Sequence, residues 1–300
     1  MIKRSRSYKI FSACNILILT LLCITMLFPY LNQLAIALNE GTDTAKGGIS
    51  IWPRKFTLEN FVAVLNDPNV LSATLVSVSR TVLTVVFSLI ITFSSAYALT
   101  RKNLKGHKFI TLYYIVTMYI GAGMIPTYIL YRHLGLMNSF WVYVIPFGMS
   151  VYNMLIMRSF IEGIPASLEE SALIDGANEI KVMYKIIIPL SKPVLATVAL
   201  WVAVGQWNDY TTSLYYVTER KLFTLQYMMM RMIKQGEAIR AMISDALKEG
   251  ADVSQLQMST TTSASTQAAM LIVTTVPIIC VYPFLQKYFV KGVTLGAVKG

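Results

Sequence analysis

SATLVSVSRTVLTVVFSLIITFSSAYAL, residues 72–99, holds one charge, Arg80, in 28 consecutive positions. As a helix it would be about 42 Å long, and about 20 apolar residues already cross the hydrocarbon core of a bilayer. Working outward, five more runs of this kind occupy residues 10–38, 109–131, 140–157, 194–217 and 267–289. The whole chain agrees: of its 300 residues 55% are hydrophobic and 14% charged, where a soluble domain carries about 25% charged residues. So little charge does not cover a water-facing surface. The expected fold is an all-α integral membrane protein with six transmembrane helices. Pro29, Pro126, Pro146, Pro277 and Pro283, with Gly121, Gly123 and Gly148, predict kinked spans and close helix contacts.

The first run starts basic (Lys3, Arg4, Arg6, Lys9) and is followed by Ala35-Ile36-Ala37, which imitates a cleavable signal. It stays mostly apolar from Ile10 to Leu31, longer than a signal core of about 7–15 residues, so an uncleaved helix is expected. Basic residues near the helix ends orient the bundle. Fifteen fall on the side of the amino terminus, the 100–108 loop, the 158–192 loop and the carboxyl tail, against four in segments 39–70 and 132–138. Both termini are therefore expected in the cytoplasm. The net charge of +11 reads as cytoplasmic anchoring and not as nucleic-acid binding. The expected organisation is 1–70 (amino-terminal segment, first helix, first outer loop), 71–290 (transmembrane domain with a cytoplasmic loop 161–193 and an outer loop 218–266), and a cytoplasmic tail 291–300.

No metal site is visible: Cys14, Cys23 and Cys280 lie in apolar runs without the close spacing of a zinc pair and are expected to be buried inert thiols, and His107 and His133 are the two histidines. No Gly-x-x-x-x-Gly-Lys-Ser/Thr stretch exists, so the chain has no phosphate-cradling loop of its own.

The loop between the fourth and fifth runs carries the densest local signals. Ser167 and Glu170 have capping-box spacing for a short helix starting near Leu168, Gly176 suits its left-handed stop, and a second amphipathic stretch, 179–187, runs to Pro189. On spacing alone the loop reads equally as a plain connector. Its residues Glu170-Ser171-Ala172-x-x-Asp175-Gly176-Ala177, then Ile186-x-Ile188-Pro189-Leu190 and Pro193, closely resemble the EAA loop of membrane subunits of ATP-binding-cassette importers. Ala96-Tyr97-Ala98-Leu99, Gly123-Met124-Ile125-Pro126-Thr127-Tyr128, Trp207-Asn208-Asp209-Tyr210 and Tyr282-Pro283-Phe284-Leu285 resemble the carbohydrate branch, near the second permease of maltose-type importers. Ser171 stands where the family commonly has Ala, and Met183 where it has an aromatic.

This resemblance implies a type I importer permease of a bacterial cell membrane, with no catalysis of its own. Glu170, Ser171, Ala172, Asp175, Gly176, Ala177 and Pro189 would couple to an ATPase dimer, which uses ATP and Mg. The other implied partners are a second permease subunit, an extracytoplasmic solute-binding protein, membrane lipid and a saccharide. The tail ending Val298-Lys299-Gly300 would reach between the ATPase subunits, unless it is a frayed terminus. The 218–266 loop, with a helix expected over 225–246, would meet the binding protein. A non-sugar solute, an ion-coupled secondary transporter and a membrane-embedded enzyme are the rivals.

Seven residues are candidates to line the substrate cavity. Arg80 either snorkels to the outer interface, packs between helices, or faces the cavity. Asp209 is the one acidic residue in any apolar run, and Trp207-Asn208-Asp209 serves either helix packing and gating or substrate contact. Asn153 is a similar candidate. Tyr128 and Tyr152 offer rings for stacking on sugar, although interfacial belts and packing account for most membrane tyrosines.

Overall fold

The computed structural model describes residues 6–44, 46–248, 264–281 and 283. The carboxyl tail and most of the Ser/Thr run near residue 260 fall outside these residues. Among the described residues fourteen α-helical segments follow in order: α1 Arg6–Ala37, α2 Gly41–Thr44, α3 Glu59–Leu65, α4 Pro68–Thr100, α5 His107–Tyr119, α6 Met124–His133, α7 Val151–Glu162, α8 Ala166–Ile174, α9 Glu179–Val182, α10 Ile188–Leu190, α11 Lys192–Asn208, α12 Thr211–Tyr216 and α13 Leu225–Lys248, then α14 Ala264–Val281. Among the described residues the only β pairing is an isolated bridge between Asn39 and Phe56.

Among the described residues, three helices are long and apolar enough to cross a membrane: Ser7–Ala37, Pro68–Thr100 and Ala264–Val281. Three more spans arise if each bent pair counts as one: α5 with α6 (117°), Phe140–Phe147 with α7 (46°), and Glu179–Leu190 with α11 (78°). The breaks follow from local chemistry. Gly123 has φ 80 and ψ 175, a conformation open essentially to glycine, so the run through 109–131 folds sharply and is not one kinked helix. Between Pro189 and Pro193, Ser191 marks the 78° corner, and the preceding turn widens to a π-helix over Met183–Ile187.

The chain forms two compact units. One comprises the residues up to Val70 with Met229–Val276. Its apolar window in α1 is unburied, as a lipid-facing helix would be. Cys14, Cys23 and Cys280 are exposed and not buried as expected. The apolar surroundings of Cys14 and Cys23 would be lipid, because the α1 face that carries them packs on no protein. After α1 a polar knot fixes the outer segment. Buried Asn39 donates through Nδ2 to Asp43 Oδ2 (3.2 Å) and Thr44 Oγ1 (3.0 Å), and accepts from the Lys55 amide (2.8 Å). Asn60 Nδ2 donates to the carbonyls of Ala37 and Asn39. The hydrogen bonds from Arg54 and Asn39 hold the Asp43 carboxyl below its ordinary range. Those from Thr42 and Lys55 lower Glu40, and Glu40 in turn raises Lys55.

The other unit, Leu71–Met228 with residues from Pro277 onward, carries two apolar cores. One joins Phe93, Ala96 and Leu99 of α4 to Met154, Met157 and Ile161 of α7, Val182 and Ile187, and Val194 and Val198 of α11. The second gathers Leu136, Val142–Val144, Val217 and Phe223. Gly148 lets Phe87 approach: a Cβ there would lie 2.4 Å from the Phe87 ring.

Candidate functional site

The loop between α7 and α11 folds as a pair of short helices whose turn is specified by neighbours in sequence. Ala177 N donates to Ala172 O and Gly176 N to Leu173 O, both at 3.0 Å, with Gly176 at φ 82. That is a Schellman stop, which satisfies two end carbonyls of α8 and needs a residue tolerant of the left-handed region. Asn178 then caps α9, its Oδ1 accepting from Lys181 N at 2.8 Å. The expected Ser167 capping box does not form. α8 starts at Ala166 after Pro165, whose φ of −57 sets the entry, so Ser167 is already inside the first turn and its carbonyl accepts from Ser171 Oγ (2.8 Å).

Ala172 and Ala177 are half-buried against the α4–α7–α11 core. Glu170, Ser171, Asp175, Gly176 and Pro189 are exposed. Around them lie Leu173, Ile174, Ile180 and Tyr184, with Ile174 85% exposed. The pair thus presents an apolar ridge edged by carboxylates.

Glu169, not Glu170, is the inward carboxylate. Arg101, one residue past α4, donates from Nη1 to Glu169 Oε2 and from Nη2 to the Tyr97 hydroxyl, and its Nη2 lies 3.0 Å from Glu179 Oε2. The guanidinium also covers the Tyr97 ring, 4.4 Å from its centroid, and Tyr97 Oη donates to Glu179 Oε2 at 2.9 Å. One guanidinium therefore ties both short helices to the end of α4. Arg101 sits in the basic loop, so its sequence signal was indistinguishable from that of its orienting neighbours.

The second constellation is buried in the same unit. Arg80 is fully enclosed by protein, so it does not snorkel. Its Nη2 donates to Asp209 Oδ2 (2.7 Å) and Gln206 Oε1 (2.8 Å), its Nη1 to the Asp209 carbonyl (3.1 Å), and its guanidinium lies 4.6 Å from the Tyr143 ring centroid. The counter-charge removes the reason to reach for water. Asp209 is not inside a helix either. Its Oδ1 accepts from the amides of Thr211 (3.0 Å) and Thr212 (3.2 Å), a side-chain turn that ends α11 and starts α12. Tyr143 extends the network: its Oη donates to Leu222 O and therefore accepts from Ser213 Oγ, both at 2.8 Å.

The tyrosine candidates make ring contacts of their own. Tyr128 stacks on Tyr216 with ring centroids 6.2 Å apart, and Tyr152 lies 6.4 Å from Trp201. Asn153 and Trp207 are buried, and Asn208 is exposed. Gln206, Tyr143 and Glu169 escaped the sequence reading, since each is an ordinary residue until its distant partner is known.

Residues 70–295 match the family described as binding-protein-dependent transport system inner membrane component. Protein LplC of Bacillus subtilis (strain 168) is 35% identical over 296 residues, 99% of this chain and 97% of that protein. The polygalacturonan/rhamnogalacturonan transport system permease protein YtcP of the same organism is 31% identical over 286 residues, 95% and 96% of the two chains. A solved bacterial ABC transporter involved in the import of the acidic polysaccharide alginate contains a chain 28% identical, with TM-score 0.84 and coverage of 96% and 100%. A family match over residues 70–295, with relatives that span nearly the whole chain, places this chain in the family of inner membrane components of binding-protein-dependent transport systems, as an ABC importer permease.

Proposed function

We propose that the chain is the permease subunit of an ATP-driven importer for an oligosaccharide delivered by an extracytoplasmic solute-binding protein. It pairs with a second permease and rests on an ATPase dimer, which holds the ATP and Mg; this chain binds no cofactor. Both termini and the α8–α9 pair lie in the cytoplasm of a bacterial-type cell, in keeping with the basic-residue bias. The saccharide class comes from the relatives' transport of polygalacturonan and rhamnogalacturonan and of alginate in the structural neighbour. Arg80 is neutralised by Asp209, so it offers no free positive charge to an acidic sugar.

The observation that carries the reading is the exposed ridge of Leu173, Ile174, Ile180 and Tyr184 around the left-handed Gly176. A protruding apolar ridge with an acidic edge fits a cleft in a partner, and closure of an ATPase pair would move it as a rigid body in alternating access. The test is purification of the importer from its host through a tag on this chain, with Ile174→Asp and Glu170→Lys. Both variants should insert yet lose the co-purifying ATPase and ATP-dependent uptake. Full retention of both would make the loop a passive connector.

A further inference from the structure

We propose that α4 is a strut fastened by an arginine at two points along its length, so that the α8–α9 pair, α4 and α11 move as one closed frame. At one end Arg101 binds Glu169 of α8 and Glu179 of α9. Within the helix, 12 residues after its start at Pro68, Arg80 binds Gln206 and Asp209 where α11 ends. The two arginines are 21 residues apart, about 31 Å along a helix. The same points are joined by a second route, through the 78° corner at Ser191 and along the 17 residues of α11.

A corner of 78° between two helices is a natural hinge. Left alone, it would flex under a pull on the α8–α9 pair, and displacement would be lost before reaching Asp209. With α4 fastened across it, the corner becomes one vertex of a triangle with three stiff sides, which has no cheap bending mode. The fastenings suit that task. Arg80 is fully enclosed, and separating a buried pair leaves two charges uncompensated, at a cost far above that of a surface pair. Arg101 is 30% exposed but engages two carboxylates and a ring. Apolar packing of Phe93, Ala96 and Leu99 against α7 and α11 fills the interior of the triangle.

The inference rests on the α8–α9 pair docking on an ATPase subunit. Its test uses the whole importer in nanodiscs, purified through a tag on this chain with Cys14, Cys23 and Cys280 replaced by Ser, and spin labels at Lys181→Cys, exposed on α9 outside the apolar ridge, and Leu214→Cys. Electron-spin distances are measured without nucleotide and after trapping with ATP and vanadate. In the parent the distribution should keep one maximum, shifting by less than about 2 Å, whereas loosening the frame should allow a shift of about one helical turn, ~5 Å. Arg101→Gln is one loosened variant. The charge-neutral pair Arg80→Met with Asp209→Asn is the other, chosen because it leaves no lone buried charge. Each should broaden or shift the trapped distribution while ATP hydrolysis continues, and combining them should add little, because a triangle opens when either fastening is lost. A turn-sized shift in the parent, unchanged distributions in both variants, or strict additivity would overturn the frame. A parent chain that retains no ATPase on purification would instead overturn the docking beneath it.

Discussion

Replacing Arg80 by Met leaves Asp209 Oδ2 without its 2.7 Å partner inside the protein. Removing one member of a buried ion pair costs about 3–5 kcal/mol. The lower end applies here, because Asp209 Oδ1 keeps its bonds to Thr211 and Thr212 and the carboxylate side chain is 18% exposed. Asp209→Asn alone should cost a similar amount, since Gln206 Oε1 and the Tyr143 ring offer Arg80 no full counter-charge. The double variant should recover most of the loss: Asn retains an acceptor for the start of α12, and no charge is left unpaired. With each single change costing about 3 kcal/mol and the double change about 1, the expected coupling energy is about 5 kcal/mol, against an average of about 0.6 and a ceiling of about 1.7 for hydrogen bonds between membrane helices. Reversible unfolding of the four proteins by sodium dodecyl sulfate in mixed micelles measures it. A coupling at or below about 1.7 kcal/mol would reduce the pair to an ordinary polar contact and refute the reasoning.

Three further outcomes are expected. Gly148→Ala should destabilise by about 1–3 kcal/mol through overpacking, because its Cβ would meet the Phe87 ring at 2.4 Å; Phe87→Ala in the same chain should relieve the clash, and a thermal melt in detergent that shows no relief counts against it. Gly176→Val meets no steric neighbour within 4 Å, so it tests backbone strain alone: about 1–2 kcal/mol from the left-handed conformation, and more for a β-branched residue, with insertion kept and uptake lost while Gly176→Asn is tolerated. Asp43 and Glu40 have lowered folded pKa values, so their contribution to the outer knot is complete above the ordinary carboxylate range and fades as pH falls from about 5 through the lowered values. Hydrogen exchange over residues 38–60 should accelerate there and stay flat across neutral pH; acceleration confined to the neutral range would show that other groups hold the knot.

The chain's solvent, its runs of apolar residues and the turn between α8 and α9 were legible in the sequence, because each depends on residues within a few positions of one another. Leu173, Gly176 and Ala177 build the Schellman stop from neighbours, and residues 72–99 are apolar whatever surrounds them. Local signals also misled where two competed: Pro165 fixed the helix entry one step ahead of Ser167, and the Asp209 carboxylate ended a helix that apolarity alone would have continued. The pairing of residues far apart was decided only by the tertiary structure. Arg80 and Asp209 are 129 positions apart and Arg101 and Glu169 are 68 apart, and nothing local to any of them names its partner. The energy that pairs them is gained only when the helices pack and exclude water. A charge inside an apolar run announces that it must be compensated, but packing alone determines by which group.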